Sequence, residues 1–192
     1  ASRPFLGVGD PTLEGGGGAS RSVKLASLYT RGGVADVTAV RQLAPLPESR
    51  AELESLARSL EAGEGSLLLG GDATETRVKG TALSDYEVVA FATHGLVAGE
   101  LKGLTEPALV LTPPARGTEE DDGLLTASEV AQLSLDADWV ILSACNTAAA
   151  DGTPGARGLS GLAKAFFYAG SRTLLVSHWP VFSEAAVALT TR

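Results

Sequence analysis

The sequence predicts an α/β fold with a mostly parallel central sheet, from two observations on its apolar residues. Short apolar runs are continuous rather than alternating, which is typical of strands buried on both faces. Helical stretches lie between these runs, and such an order implies right-handed crossovers between parallel strands. The runs are Pro4–Val8, Ser66–Leu69, Glu87–Thr93, Ala108–Leu111, Asp138–Ala144 and Arg172–Ser177.

The helical stretches are predicted from periodicity and from capping residues. Residues 48–61 place three leucines and an alanine on one face, and Gly63 follows as a stop signal. Thr126-Ala-Ser-Glu129 has the pattern of a capping box, which opens a short helix to about residue 133. Residues 159–169 carry a broad apolar face and end before Gly170. Weaker helices are predicted at 74–83 and 34–43.

Two stretches are predicted to be loops. Residues 9–22 include four consecutive glycines, and residues 112–123 combine prolines with an acidic run, Glu119 to Asp122. We expect the first loop to be mobile and the second to be exposed. The acidic run is interpreted as a solvated surface in preference to a binding site.

Composition narrows the functional classes. The chain has 192 residues and a formal net charge of −8, which suits one soluble domain and disfavours binding to nucleic acid or to an anionic membrane. We find no apolar run near the roughly 20 residues of a membrane helix and no signal peptide. The chain contains one cysteine, so neither an internal disulfide nor a multi-cysteine metal site can form. A single thiol fits a reducing compartment, which predicts a cytoplasmic protein.

The residue range 1–192 is interpreted as a single domain, truncated at one or both ends. The chain contains no methionine, even at position 1, and it stops inside a segment with the pattern of a helix.

Three reactive side chains follow apolar runs directly: His94, Cys145 and His178. They are the only cysteine and the only two histidines in the chain. Because ligands bind beyond the carboxyl ends of parallel strands, this placement predicts a site at one edge of the sheet. A cysteine thiolate can attack a carbonyl, and a histidine can accept or donate the proton.

A tetrahedral intermediate also needs donors for its oxyanion, and the backbone N–H groups of Gly95 and Cys145 are the candidates. The alternative is structural, because a lone cysteine after a strand is commonly a small buried residue and a lone histidine is commonly structural. About 50 residues separate His94 from Cys145, as in the caspase pattern, although Ser143-Ala-Cys-Asn-Thr147 is not the caspase string.

Five motifs occur in a fixed order along the chain. They are Phe91-Ala-Thr-His-Gly95, Asp122-Gly-Leu-Leu-Thr-Ala-Ser-Glu-Val130, Val140-Ile-Leu-Ser-Ala-Cys-Asn-Thr147, Gly158-Leu through Ala169-Gly170, and Ser177-His-Trp-Pro-Val181. With these motifs the block from Tyr86 to Val181 resembles the CHAT domain, a bacterial peptidase family of the caspase, separase and gingipain clan. Leu6-Gly-Val-Gly-Asp-Pro11 and Gly70-Gly-Asp-Ala-Thr74 resemble its early part.

The resemblance implies a caspase-like three-layer α/β/α sandwich and a catalytic dyad of His94 and Cys145. It implies a cysteine endopeptidase that cleaves a protein substrate with no metal or other cofactor. In this clan the histidine is thought to protonate the leaving amine, so the two side chains need not be in direct contact. CHAT domains commonly follow tetratricopeptide repeats, which implies such a segment, or another regulatory segment, as an activating partner.

Two residues are candidates for a substrate pocket. Asp151 follows Cys145 on a predicted loop and could bind a basic substrate side chain, or it is an exposed loop acid. His178 stands where the family often has an apolar residue, and it is interpreted as a structural or pocket-wall residue. A catalytically silent interaction module with the same fold is the alternative function, and an esterase or acyltransferase is a third.

Overall fold

A computed structural model of the chain describes residues 2–15, 34–98, 104–143 and 160–176. The strands are β1 Arg3–Pro11, β2 Leu67–Gly70, β3 Tyr86–Ala92, β4 Gly95–Leu96, β5 Ala108–Val110, β6 Leu124–Thr126, β7 Trp139–Leu142 and β8 Thr173–Val176. The helices are α1 Val37–Arg41, α2 Pro47–Ser59, α3 Glu75–Gly80, α4 Ala127–Val130 and α5 Ser160–Tyr168, with a 3₁₀ turn at Leu83–Asp85.

Five of the strands form a parallel sheet in the order β2-β1-β3-β7-β8. The predicted mostly parallel sheet is confirmed. The run Ala108–Leu111 was expected to join this sheet, but its strand β5 pairs antiparallel with β4 and β6 in a separate small sheet. The run is continuously apolar because β5 is completely buried, so burial gave it the pattern of a parallel strand.

Helices cover both faces of the large sheet, so the chain has the three layers that were expected. On one face α2 packs Leu53, Leu56 and Ala57 against β1 and β3. On the other face the apolar residues of α3, α4 and α5 pack against the same sheet and against the small one. In this second layer Phe91 of β3 and Phe166 of α5 have ring centroids 5.5 Å apart. No helix among the described ranges is long and apolar enough to cross a membrane.

The carboxyl ends of the central strands meet at one edge because the strands are parallel and in close register. Gly9 of β1 is paired with Ala92 of β3, and Phe91 of β3 with Leu142 of β7. The residues that follow β1, β3 and β7 therefore start from neighbouring positions. This edge lies beyond the strand ends, where parallel α/β sheets bind ligands.

Gly9 allows α2 to lie close to the end of β3. A Cβ atom at this position would lie 2.7 Å from Leu53 Cδ1 and closer still to the carbonyl oxygen of Ala92. Neither neighbour can give way easily, since one is backbone and the other is a completely buried side chain. A side chain here would push α2 away from the sheet.

The loop at residues 112–123 is only partly exposed, which corrects the expectation for its acidic run. Glu119 and Glu120 are exposed, but Asp121 is buried and Asp122 half-buried. Asp121 accepts hydrogen bonds from the N–H and the hydroxyl of Thr76, at 3.2 and 2.6 Å, and Asp122 accepts one from the N–H of Ala35 at 2.6 Å. Two of the four acidic residues thus hold the loop to α3 and to residue 35 by hydrogen bonds.

Glu75 binds the same loop from the first turn of α3. Its side chain is completely buried and accepts hydrogen bonds from the N–H groups of Asp122 and Gly123, both at 2.7 Å, and from Lys79 Nζ at 2.9 Å. Lys79 also reaches Glu129, whose other oxygen completes the predicted capping box of α4. Burial raises the pKa of Glu75 from its ordinary 4.5 to about 7.

Replacing Gly9 by alanine should lower the free energy of unfolding by about 1–3 kcal/mol, since the new methyl group overlaps Ala92 and Leu53. Gly63→Ala is the matched control, because a Cβ there meets nothing within 4 Å. Urea unfolding of both variants measures the difference. Equal stabilities for the two variants would contradict the close packing of α2.

The stability of the chain should fall as the pH rises from about 4.5 to about 7. In this window the folded chain keeps the proton on Glu75, whereas the unfolded chain has released it, so folding is favoured at the acidic end by about 1–3 kcal/mol. Glu75→Gln should reduce this slope in urea unfolding at a series of pH values, and Glu64→Gln, at an exposed position, should leave it unchanged. If the free energy of unfolding of Glu75→Gln depended on pH as steeply as that of the wild type, Glu75 would not be the group that causes the dependence.

Candidate functional site

His94 lies at the carboxyl edge of the large sheet, two residues after the end of β3. Its ring is half-buried, and its Nε2 atom lies 2.7 Å from the carbonyl oxygen of Ala44. Ala44 belongs to the connection between α1 and α2. The loop that leads into α2 therefore supplies the group that orients the histidine ring.

The contact with Ala44 determines which ring nitrogen carries the hydrogen atom in the neutral ring. A carbonyl oxygen can only accept a hydrogen bond, so Nε2 carries a hydrogen atom. In the neutral ring Nδ1 is then the basic nitrogen. The carbonyl oxygen of Ala44 can accept this hydrogen bond from the neutral ring and from the imidazolium, and the bond to the charged form is the stronger one.

The backbone around His94 is held by the small sheet. The N–H of Val110 donates to the carbonyl oxygen of His94 at 2.9 Å, and the buried hydroxyl of Thr93 donates to the carbonyl oxygen of Val110. Thr93 can therefore be buried at the end of the strand, because its hydroxyl group has a hydrogen-bond acceptor. These bonds fix the direction in which the chain leaves β3, and with it the position of His94.

Gly95 follows in β4, where it is paired with Leu109 of β5. Hydrogen-bonded and non-hydrogen-bonded pairs alternate along an antiparallel ladder. Since His94 and Val110 are joined by a ladder hydrogen bond, Gly95 and Leu109 form a non-hydrogen-bonded pair. The N–H of Gly95 is therefore not used by β5.

The end of β7 is fixed at two points. The N–H of Ser143 donates to the carbonyl oxygen of Phe91 in β3 at 2.9 Å, and its hydroxyl donates to Glu52 Oε2 of α2 at 3.0 Å. Glu52 is 5% exposed, and burial raises the pKa of its carboxyl group. Ser143 is the last described residue before Cys145, so these two bonds set the point from which the cysteine segment starts.

Sequence reasoning did not find Ala44 or Glu52. No side chain marks Ala44, because it acts through its backbone. A signal for Glu52 was present, since it lies one turn before Leu56 and next to Leu53, on the edge of the predicted apolar face of α2. A carboxylate on that edge can become buried when the helix packs against the sheet, as Glu52 does.

Asp10 marks the end of β1 at the same edge. It adopts a left-handed conformation with φ 48°, which aspartate tolerates better than most residues. Its N–H donates to Ser49 Oγ at 3.0 Å, and its carboxylate accepts from Nε and Nη2 of Arg50 at 2.8 and 2.7 Å. The end of β1 is thus bound to the first turn of α2.

Cys145, Asp151 and His178 lie outside the described residues, so their predicted places at the site remain predictions. Among the described residues no three histidine, cysteine or acidic side chains converge as metal ligands.

Comparisons with known proteins identify one relative and one family. The mouse protein Tetratricopeptide repeat protein 28 is 33% identical over an alignment of 148 residues, which covers 59% of this chain and 6% of that protein. The chain thus spans only a small part of this relative. No solved structure matches the chain. The CHAT domain family model matches residues 2–192, so the chain belongs to the CHAT domain family.

Proposed function

We propose that the chain is a cysteine endopeptidase that cleaves a protein substrate through His94 and Cys145. The observation that carries the proposal is the placement of His94: the Ala44 carbonyl contacts its ring at the sheet edge where Ser143 follows β7. β3 and β7 are paired neighbours, so the strand ends after which His94 and Cys145 follow in sequence are adjacent, which supports the proposal. Membership of a peptidase-like family supports the same chemistry.

The proposed reaction has two steps. The sulfur of Cys145 attacks the carbonyl carbon of the scissile peptide bond, and the bond to nitrogen breaks as His94 Nδ1 delivers a proton to the leaving amine. The thiol proton, released to the imidazole, is the one that is delivered. Water then attacks the thioester, Nδ1 accepts its proton, and the thiol is restored as the carboxylic acid leaves.

The oxyanion of each tetrahedral intermediate needs N–H donors, and we assign this role to Gly95 and Cys145. The N–H of Gly95, outside the β4–β5 ladder, supports its part of the assignment. Asp151 is proposed as an acidic group for a basic substrate side chain, and His178 as a wall of the same pocket. The proposed reaction uses a thiol nucleophile and an imidazole, so its chemistry calls for no metal or other cofactor.

A flanking tetratricopeptide-repeat segment is the partner we propose for activation, and the name of the mouse relative supports this association. A reducing, cytoplasmic setting suits a peptidase whose only thiol is its nucleophile.

Cys145→Ala should abolish cleavage because no other thiol can replace the nucleophile, and His94→Ala should lower the cleavage rate about a hundredfold or more. The assay incubates the chain with a peptide library from a digested proteome and identifies new termini by mass spectrometry. Ser134→Ala, at an exposed position before the amino end of β7, is the control and should behave as the wild type. Undiminished cleavage by Cys145→Ala would overturn the assignment.

The single thiol gives a second test that needs no substrate. Iodoacetamide should alkylate Cys145 in the folded chain, and His94→Ala should slow this reaction several-fold near neutral pH because the ring promotes thiolate formation. Mass spectrometry of the intact chain measures the rate. A thiol that reacts only after unfolding, together with no cleavage of the library, would favour the non-catalytic interaction module.

A further inference from the structure

A buried carboxyl group on α2 lies directly behind the candidate site. Glu52 is 5% exposed, and its Oε2 atom accepts a hydrogen bond of 3.0 Å from the hydroxyl of Ser143. Its other oxygen, Oε1, is buried and has no hydrogen-bond partner among the described residues. Glu52 is therefore a half-satisfied polar group at the end of the strand that leads to Cys145.

Stability alone does not account for an acid at this position. Removing a carboxyl group from water costs free energy unless both oxygens are bound, and only one of them is bound within the described ranges. An apolar side chain would extend the face that Leu53 and Leu56 already form. Residues that break the local folding rules in this way are typical of functional positions.

The strand geometry explains what Glu52 can do. Side chains alternate along β7, so Ser143 is on the same face as Ile141, which packs against the α2 layer, whereas Leu142 faces the opposite core. Ser143 is thus held to β3 through its N–H and to α2 through its hydroxyl. Two hydrogen bonds in different directions fix both the position and the rotation of the strand end.

We propose that Glu52 is a positioning residue: through Ser143 it fixes the end of β7 and so sets the place of Cys145 relative to His94. The proposal rests on the proposed function for the role of Cys145 as nucleophile. It assigns to α2 a task in catalysis that is separate from its packing against the sheet. In this role Glu52 acts through its hydrogen bond to Ser143.

The charge of Glu52 is compatible with this role. Burial raises the pKa of the carboxyl group, which favours the neutral acid. A neutral acid does not oppose formation of a thiolate two residues beyond Ser143, whereas a buried negative charge would. Both forms accept the hydrogen bond from the serine hydroxyl.

Four variants of the full chain test the proposal: Glu52→Ala, Glu52→Gln, Ser143→Ala and the double variant Glu52→Ala/Ser143→Ala. Glu48→Gln is the matched control, since Glu48 is exposed on the same helix. Two quantities are measured on each: kcat and KM for a peptide selected from the library, and the pH profile of alkylation of Cys145 by iodoacetamide. Thermal unfolding shows which variants are folded.

Ser143→Ala and Glu52→Ala should each lower kcat about tenfold or more with little change in KM, because the nucleophile is misplaced while substrate binding is kept. Both variants should also shift the pH at which the alkylation rate of Cys145 rises. Glu52→Gln should stay within about twofold of the wild type, because the amide oxygen accepts the same hydrogen bond. The double variant should lose no more than either single one, as expected for two residues that act through one bond.

The proposal fails if folded Glu52→Ala and Ser143→Ala have the kcat and the alkylation profile of Glu48→Gln. If Glu52→Ala does not fold, Ser143→Ala decides the question, since it removes the same hydrogen bond with a small change in volume. Failure of the peptidase assignment is distinguishable from this outcome. In that case the wild type cleaves nothing, and the alkylation profiles alone still show whether Glu52 and Ser143 control the environment of Cys145.

Discussion

The register between β3 and β7 is the constraint on which the candidate site depends. Phe91 is paired with Leu142, and the N–H of Ser143 continues the same ladder by donating to the carbonyl of Phe91. The chain leaves β3 towards His94 and leaves β7 towards Cys145 from this shared level. A slip by one residue would turn every side chain of β7 to the other face and exchange Ser143 with an apolar neighbour. The core on both faces of the sheet therefore protects the site geometry.

Much of the architecture could be predicted because buried strands and helix faces produce recognisable patterns of apolar residues in the sequence. The central strands are continuous apolar runs, and the capping box of Thr126 and Glu129 is present as expected. His94 stood out in the sequence because it directly follows an apolar run, and the structure places it two residues after β3. The apolar faces of the helices followed from the same patterns, and the predicted site at the edge of the sheet stays a prediction.

The features that escaped prediction depend on long-range contacts. The antiparallel pairing of β5 was not predictable, since a fully buried strand has the same pattern in either direction. The burial of Asp121 and Asp122 depends on partners in α3 and in residue 35, which no local pattern links to an acidic loop. Ala44 acts through a carbonyl group that every residue has. Local propensity carries no information on such contacts.

The Ala44 carbonyl has a consequence for how this site can change. Since the group that orients His94 belongs to the main chain, a substitution at position 44 alters the side chain and leaves the acceptor in place. Only a change in the length or path of the connection between α1 and α2 can remove it. The length of this connection is thus one factor that sets the tautomer of the histidine. Variation between related domains that alters this connection would change the orientation of the histidine ring without replacing any side chain of the candidate site.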